Sequence, residues 1–393
     1  MILIHLLNGK SMKNFFTLKK TISAIKLFLQ FYLLLGLIGL NTLSAKEHFG
    51  TIKSLHSDTL LTTISFGSCA DAYKPQPLWT EIEKSKPNVF LFLGDNVYAD
   101  QMDGKHIPLA NNESFKSAYH ALDNQPQFST FRKHIPILAT WDDHDYGLND
   151  GGSNNPNISL AKNYFLNFFG GSNYPNSSKH AGVYSAHLFG HKGKRVQIIL
   201  LDTRTFRSKL TKAQPGNTQG YQRYRPSLDA HQQMLGEKQW IWLEKQLKKP
   251  AEIRIIASSI QLLAENHGYE RWGNLPQQRT KFYQLLTSTQ ANGVIIISGD
   301  RHQGGIYHKV GKTPYPIYEI TASSINKAIA HPTPEMDETQ LGRLIREPNF
   351  GLIKINWQKQ QLSIGVTTQG RSLDRAITFP LKDLTINKPD PNL

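Results

Sequence analysis

The stretch Val89–Asp100 reads VFLFLGDNVYAD, five unbroken apolar residues stopped by Gly94-Asp95-Asn96. A short apolar run with no polar alternation is the pattern of a strand buried on both faces, and the glycine with its polar followers marks where that strand ends. The same sentence is written several times along the chain. Thr62–Gly67 runs into Ser68-Cys69, and Ile135–Ala139 into Thr140-Trp141-Asp142-Asp143-His144-Asp145. Val196–Leu201 ends at Asp202-Thr203-Arg204, Ile253–Ala257 at Ser258-Ser259, and Val294–Ile297 at Ser298-Gly299-Asp300-Arg301-His302.

Helical spacing fills the intervals at Leu78–Lys84, Asn112–Leu122, Ser159–Phe169, Gly236–Lys248 and Gln277–Thr289. Strands alternating with helices predict a layered α/β fold, in which ligands gather at the carboxyl ends of the strands. Two stretches rich in Gly, Asn, Ser and Pro, Gly147–Asn157 and Gly170–Lys179, read as loops near that end. After Phe350 the pattern changes to alternation over Leu352–Trp357 and Gln361–Thr367, expected to form a closing antiparallel edge.

Residues 1–45 read as a secretory signal. Lys10, Lys13, Lys19, Lys20 and Lys26 precede an apolar run, Leu27–Leu40, and small residues close it at Ser44-Ala45. The run spans 14 residues, short of the ~20 that cross a bilayer; a retained membrane anchor is the alternative. The expectation is a periplasmic or secreted protein whose membrane contact is made only through this segment. Residues 46–393 then form the functional domain, and 45 basic residues less those five lysines leave 40 against 30 acidic ones. That balance favours anionic partners, but the charges are scattered and match no nucleic-acid-binding module. Cys69 is the single cysteine, so no intrachain disulfide is available.

The strand ends share a chemistry. The Cys69 thiolate, Tyr98 phenolate and His302 imidazole suit a transition metal, and the Asp143 and Asp300 carboxylates suit a hard cation. Asp95 can bridge the two. Such a pairing of metals binds phosphate oxygens and acidifies a water. Taken alone, Cys69 also fits a small buried hydrophobe and Tyr98 an ordinary core tyrosine.

Together these motifs resemble the D-type (PhoD-like) alkaline phosphatases. GDNVYAD is similar to the Gly-Asp-x-x-Tyr element shared with purple acid phosphatases, and GSCAD, WDDHD, LDTRTFR and SGDRHQGGIY resemble the D-type family itself, over about residues 62–367. The resemblance implies a four-layer sandwich of two mixed β-sheets flanked by helices. It implies a ferric ion (Fe3+) on Cys69, Asp95, Tyr98 and His302, with Asp95 bridging, and calcium (Ca2+) on Asp143 and Asp300. It also implies that His144 donates to the leaving oxygen, that Arg204 clamps phosphate, and that Asn96 and Arg301 help bind substrate.

Alternatives for two of these are an orienting role of His144 on Asp143 and an ion pair of Arg204 with Asp202 or another carboxylate. Longer relatives carry an amino-terminal β-sandwich domain, for which too little sequence separates Ala45 from Thr62. The loop Gln261–Asn274 departs from the family in spacing and leaves His267, Glu270 and Trp272 without an assigned role, Trp272 fitting either a pocket wall or a packed loop. The implied activity is hydrolysis of organic phosphate monoesters or diesters, small molecules that include nucleotides and phospholipids. A lipid-headgroup phosphodiesterase and a non-enzymatic phosphate-binding protein are the competing readings.

Overall fold

The structure, a computed structural model, describes residues 47–170, 174, 179–214, 223–329, 337–371, 373 and 375–386. The export-type segment, residues 1–45, lies outside them, as do most of Gly170–Lys179. Among the described residues no helix is long and apolar enough to cross a membrane.

The strands in chain order are β1 (Thr63–Gly67), β2 (Val89–Leu93), a small hairpin of β3 (Gln101–Met102) and β4 (Lys105–His106), β5 (Ile137–Thr140), β6 (Ser185–Phe189), β7 (Val196–Leu200) and β8 (Ile253–Ser258). They continue as β9 (Val294–Ser298), β10 (Gly304–Lys309), β11 (Ile317–Ala322), β12 (Gln340–Ile345), β13 (Asn349–Asn356), β14 (Gln361–Thr368) and β15 (Arg375–Pro380). One mixed sheet has the order β15-β14-β13-β1-β2-β5, and a second β12-β10-β11-β9-β8-β7-β6.

All five residues of β2 are buried, and alternate side chains serve different cores. Val89, Leu91 and Leu93 join Ile64, Phe66, Ile255 and Ile295 in the cluster between the sheets. Phe90 and Phe92 point the other way, into an aromatic cluster with Trp79, Phe115, Phe128 and Phe165 from the helices that cover this sheet. Helices Gly236–Leu247 and Pro276–Ser288 supply Trp240, Leu243, Phe282 and Leu286 to the cover of the second sheet. Two mixed sheets flanked by helices are the architecture the motifs implied.

One expectation changes, and one helix is new. Leu352–Trp357 and Gln361–Thr367 were expected at an edge, but β13 pairs with β1 and β14 with β13, so both lie inside the first sheet and β15 forms its edge. Their alternating pattern survives because one face meets the inter-sheet core while the other keeps polar residues such as Lys354 and Ser363. A helix at Pro126–His134, with only Phe128, Phe131 and Arg132 buried, carried too few apolar residues to announce itself.

Candidate active site

β1, β2 and β5 run parallel in the first sheet, and β7, β8, β9 and β11 in the second. Their carboxyl ends meet, which brings Cys69, Asp95, Asp142, Asp143, Asp300 and His302 together from strands far apart in sequence. The backbone bends sharply to do this. Cys69 (φ 58°), Asp95 (φ 49°), Asp300 (φ 66°) and His302 (φ 54°) all hold the left-handed region, which non-glycine residues seldom occupy and which clusters at functional sites. Gly94 (φ 102°) lets the β2 and β5 turns touch, since a Cβ there would lie 2.4 Å from Asp142 Cβ.

Cys69 Sγ, fully buried, lies 3.3 Å from Asp95 Oδ2, 3.1 Å from Ser323 Oγ and 3.5 Å from Ser68 Oγ. Tyr98 donates its hydroxyl to the same Asp95 oxygen at 3.3 Å. Ser323 also accepts the His302 backbone N–H at 2.8 Å, so one hydroxyl ties two candidate ligands together. Beyond it the loop after β11 closes this side: Ile325 N donates to Ser68 O, Ile329 N to His302 O, and the Lys327 ammonium stands 3.4 Å from the Tyr98 ring centroid.

The opposite side is carboxylate. Asp143 Oδ2 accepts the Asp150 backbone N–H at 2.8 Å. Asp142 Oδ1 accepts from Arg204 Nε at 2.6 Å and from Ser259 Oγ at 2.5 Å. Glu270, fully buried, accepts from Arg204 Nη1 at 2.5 Å and from Arg207 Nη2 at 2.6 Å. Asp145 accepts the backbone N–H groups of Asn96, Val97 and Asp142, locking the two turns against each other. His144 keeps Nδ1 at 2.7 and 2.8 Å from the two oxygens of Asp100. That contact fixes the ring and leaves Nε2 as its working atom.

Charge in this cavity calls for cations. Burial pushes the Cys69 thiol up to about 11. Burial, then the Cys69 neighbour, holds Asp95 well above the usual carboxylate range, and burial with Asp142 and Asp143 does the same to Asp300. For Asp143 burial acts upward, but His144, Arg204 and the Asp150 N–H outweigh it and keep the carboxyl ionised. Burial would depress His144, yet Asp143, Asp95 and Asp100 raise it well above the ordinary imidazole value.

Asp95 Oδ1, Asp142 Oδ2 and Asp143 Oδ1 are buried without a hydrogen-bond partner among the described residues, an arrangement that is costly unless a ligand completes it. Ligand atoms of Cys69, Asp95 and His302 lie within 4.8 Å of one another, as do those of Asp95, Asp143 and His144, of Asp142, Asp143 and Asp300, and of Asp143, Asp150 and Glu270. Asp95 and Asp143 belong to more than one group. Donors and spacing fit metal ions.

Over these groups lies a cleft of about 180 Å³ lined in part by Asp143, His144, Asp300, Arg301 and His302. The loop residues Asn149 and Asp150 line it as well, which places Gly147–Asn157 at the site. Not every sequence-derived candidate faces this space. Asn96 is fully buried and is not among the cleft-lining residues; it donates Nδ2 to Thr140 O at 2.8 Å, while its Oδ1 has no hydrogen-bond partner among the described residues. Arg204 is also fully buried; its Nε and Nη1 go to Asp142 and Glu270, while Nη2 has no hydrogen-bond partner among the described residues.

Trp272 packs in the core against Trp240 and Phe282, with Nε1 on Ser258 Oγ at 3.0 Å, and forms no cleft wall. His267 is buried and its Nδ1 accepts the Tyr269 N–H at 3.2 Å. Asp100, Asp142, Ser323 and Lys327 escaped the sequence reading. A signal for Asp100 existed, since it closes the same GDNVYAD motif; none marked Ser323 or Lys327.

A family model for the PhoD-like phosphatases matches residues 65–157 and 174–364. The chain belongs to the PhoD-like phosphatase family. It is therefore assigned to the phosphatase hydrolases, a metal-dependent group to which its ligand clusters are suited. A solved structure of PhoD is similar, with a TM-score of 0.64 at 15% identity, covering 86% of this chain and 73% of that one. GAP50, the anchor in the inner membrane complex of Plasmodium, gives a TM-score of 0.51 at 13% identity over 84% of this chain and 90% of its own. At such identities both likenesses speak for the fold alone. No match was found among the curated proteins.

Proposed function

We propose that this PhoD-like phosphatase is an exported, metal-dependent phosphoesterase that hydrolyses organic phosphate monoesters or diesters. One observation carries the reading: Asp95 and Asp143 each take part in more than one ligand group within 4.8 Å, and each has a buried oxygen without a hydrogen-bond partner among the described residues. In this reading Cys69, Asp95, Tyr98 and His302 hold Fe3+, and Asp143 and Asp300, with Asp142 beside them, hold Ca2+. When bound, such ions neutralise phosphoryl oxygens and acidify water.

The protein's own residues do the rest. His144 carries a proton on Nε2 toward the leaving oxygen, because the carboxylates around it favour the charged ring and Asp100 fixes Nδ1. Arg204 holds Asp142 and Glu270 in place and opposes the burial that raises both carboxyls. Arg301, stacked on Tyr269 with its Cζ 4.8 Å from the ring centroid, lines the cleft and meets the substrate there. Residues 1–45 direct export, to the periplasm or medium.

The test is metal analysis of purified protein together with turnover of p-nitrophenyl phosphate, bis-p-nitrophenyl phosphate and phosphatidylcholine. Iron and calcium with turnover of either nitrophenyl ester support the reading. Turnover of the lipid alone would favour a headgroup diesterase. Protein that holds neither metal and turns over none of the three would be a binding scaffold, a role the shared fold permits.

A further inference from the structure

The cleft is small, about 180 Å³, below the several hundred Å³ usual for whole drug-sized ligands. A phosphoryl group would take up much of it, so the alcohol part of an ester would run past the outer lining. Two cations belong to that lining. The Cζ atoms of Arg301 and Arg223 lie 4.8 and 5.8 Å from the centroid of one ring, Tyr269.

Arg223 is held rather than loose. Its Nη1 donates to Asp150 Oδ2 at 2.7 Å, and the Tyr224 hydroxyl donates to the same oxygen at 2.7 Å. Its own carbonyl accepts from Ala213 N, and Tyr224 N donates to Gly268 O, so the chain is pinned on both sides. The side chain is nevertheless 50% exposed, and among the described residues Asp150 is its ion-pair partner. Asp150 gives its backbone N–H to Asp143 at 2.8 Å, which sets the mouth in register with the floor.

We propose that Arg223, with Tyr269 and Arg301, forms a second anion subsite that selects phosphate esters whose alcohol carries its own carboxylate or phosphate. The inference rests on the phosphoesterase reading. With one nitrogen on Asp150, the remaining edge of the planar fork is open to a second anion at the exit. An Arg223 that only neutralised Asp150 would influence all substrates alike.

Three aryl phosphates of similar shape separate the cases: phenyl phosphate, 4-carboxyphenyl phosphate and 4-(aminomethyl)phenyl phosphate, compared by kcat/KM in the metal-loaded full chain. Ratios between variants cancel the leaving-group chemistry. Arg223→Ala is expected to lower the anionic-to-cationic preference roughly tenfold, the worth of one charge-assisted contact, and Arg223→Glu to invert it. Arg223→Lys should restore part of the preference. Equal losses on all three esters, or unchanged ratios in variants that keep the wild-type melting temperature, overturn the subsite while leaving the phosphatase intact. A wild type that turns over neither these three monoesters nor their phenyl diesters removes the phosphoesterase reading, and the subsite with it.

Discussion

The two halves of the site are built on opposite electrostatic plans. Around Cys69, Tyr98 and His302 the neighbours are hydroxyls, Ser68 and Ser323, with Lys327 the cation against the Tyr98 ring. Around Asp142, Asp143 and Glu270 the neighbours are guanidiniums, Arg204 and Arg207, which are fully buried and hydrogen-bonded to the carboxylates. Burial leaves the thiol protonated in the first half, while the arginines and His144 help keep Asp143 ionised in the second. The halves therefore differ in more than donor softness: in the first the thiol must lose a proton to take a metal, while in the second Asp143 is charged beforehand although burial raises its neighbours Asp142, Glu270 and Asp300.

Asp95 joins the halves, so its removal is expected to have the largest effect. Asp95→Asn should lower kcat on the order of a thousandfold and reduce binding of both metals, since it weakens both groups. Activity within tenfold of wild type would break the idea of a shared carboxylate. The next largest contrast is between Cys69→Ala and Asp300→Asn. Elemental analysis should find the first depleted of iron with calcium retained and the second the reverse. If both lose the same ion, the halves are not separate.

Arg204→Met tests the buried guanidinium. Leaving Asp142 without its guanidinium and Glu270 with Arg207 alone should cost about 3–5 kcal/mol in chemical unfolding, whereas the half-exposed Arg223→Ala should cost under about 1 kcal/mol. Equal costs would mean that Arg204 does not hold the carboxylate half together.

Away from both halves, Glu319 gives a smaller, pH-dependent effect. A buried residue of β11, it accepts from Leu262 N and Leu263 N, and burial pushes its carboxyl up to about 7 from an ordinary 4.5. Between those values the folded chain retains a proton that the unfolded chain releases, so stability falls as pH rises through this window and levels off above it. The loss is at most roughly 3 kcal/mol, and Glu319→Gln should flatten this part of the urea midpoint against pH.

Much of the fold was legible because β1, β2, β5, β7, β8 and β9 are short apolar runs, five of them buried along their whole length. Such strands write themselves as uninterrupted runs. β10, β12 and β15 were not legible, since partial exposure breaks their patterns with His308, Arg343 and Thr378. At the site, residue type was readable and direction was not. Asp95, Asp143, Asp300 and His302 announced themselves as ligands at strand ends, but nothing in the sequence told whether Asn96 or Arg204 turned toward the cleft or into the protein. The loop Ser323–Ile329 contributes hydroxyl, backbone and one lysine, none of which carries a motif.

The left-handed backbone at Cys69, Asp95, Asp300 and His302 has a consequence for how such a protein can change over generations. Each of these residues holds a conformation that costs ~1–2 kcal/mol for a side chain with a Cβ and almost nothing for glycine. Glycine at any of the four would abolish a ligand and relax the chain, and for the three acidic or thiol positions it would also relieve a buried ionisable group. A metal-free variant of this kind should melt at a higher temperature than the metal-free parent. Mutational drift away from chemistry thus runs downhill in folding energy, and only selection for the bound metals holds these four positions where they are.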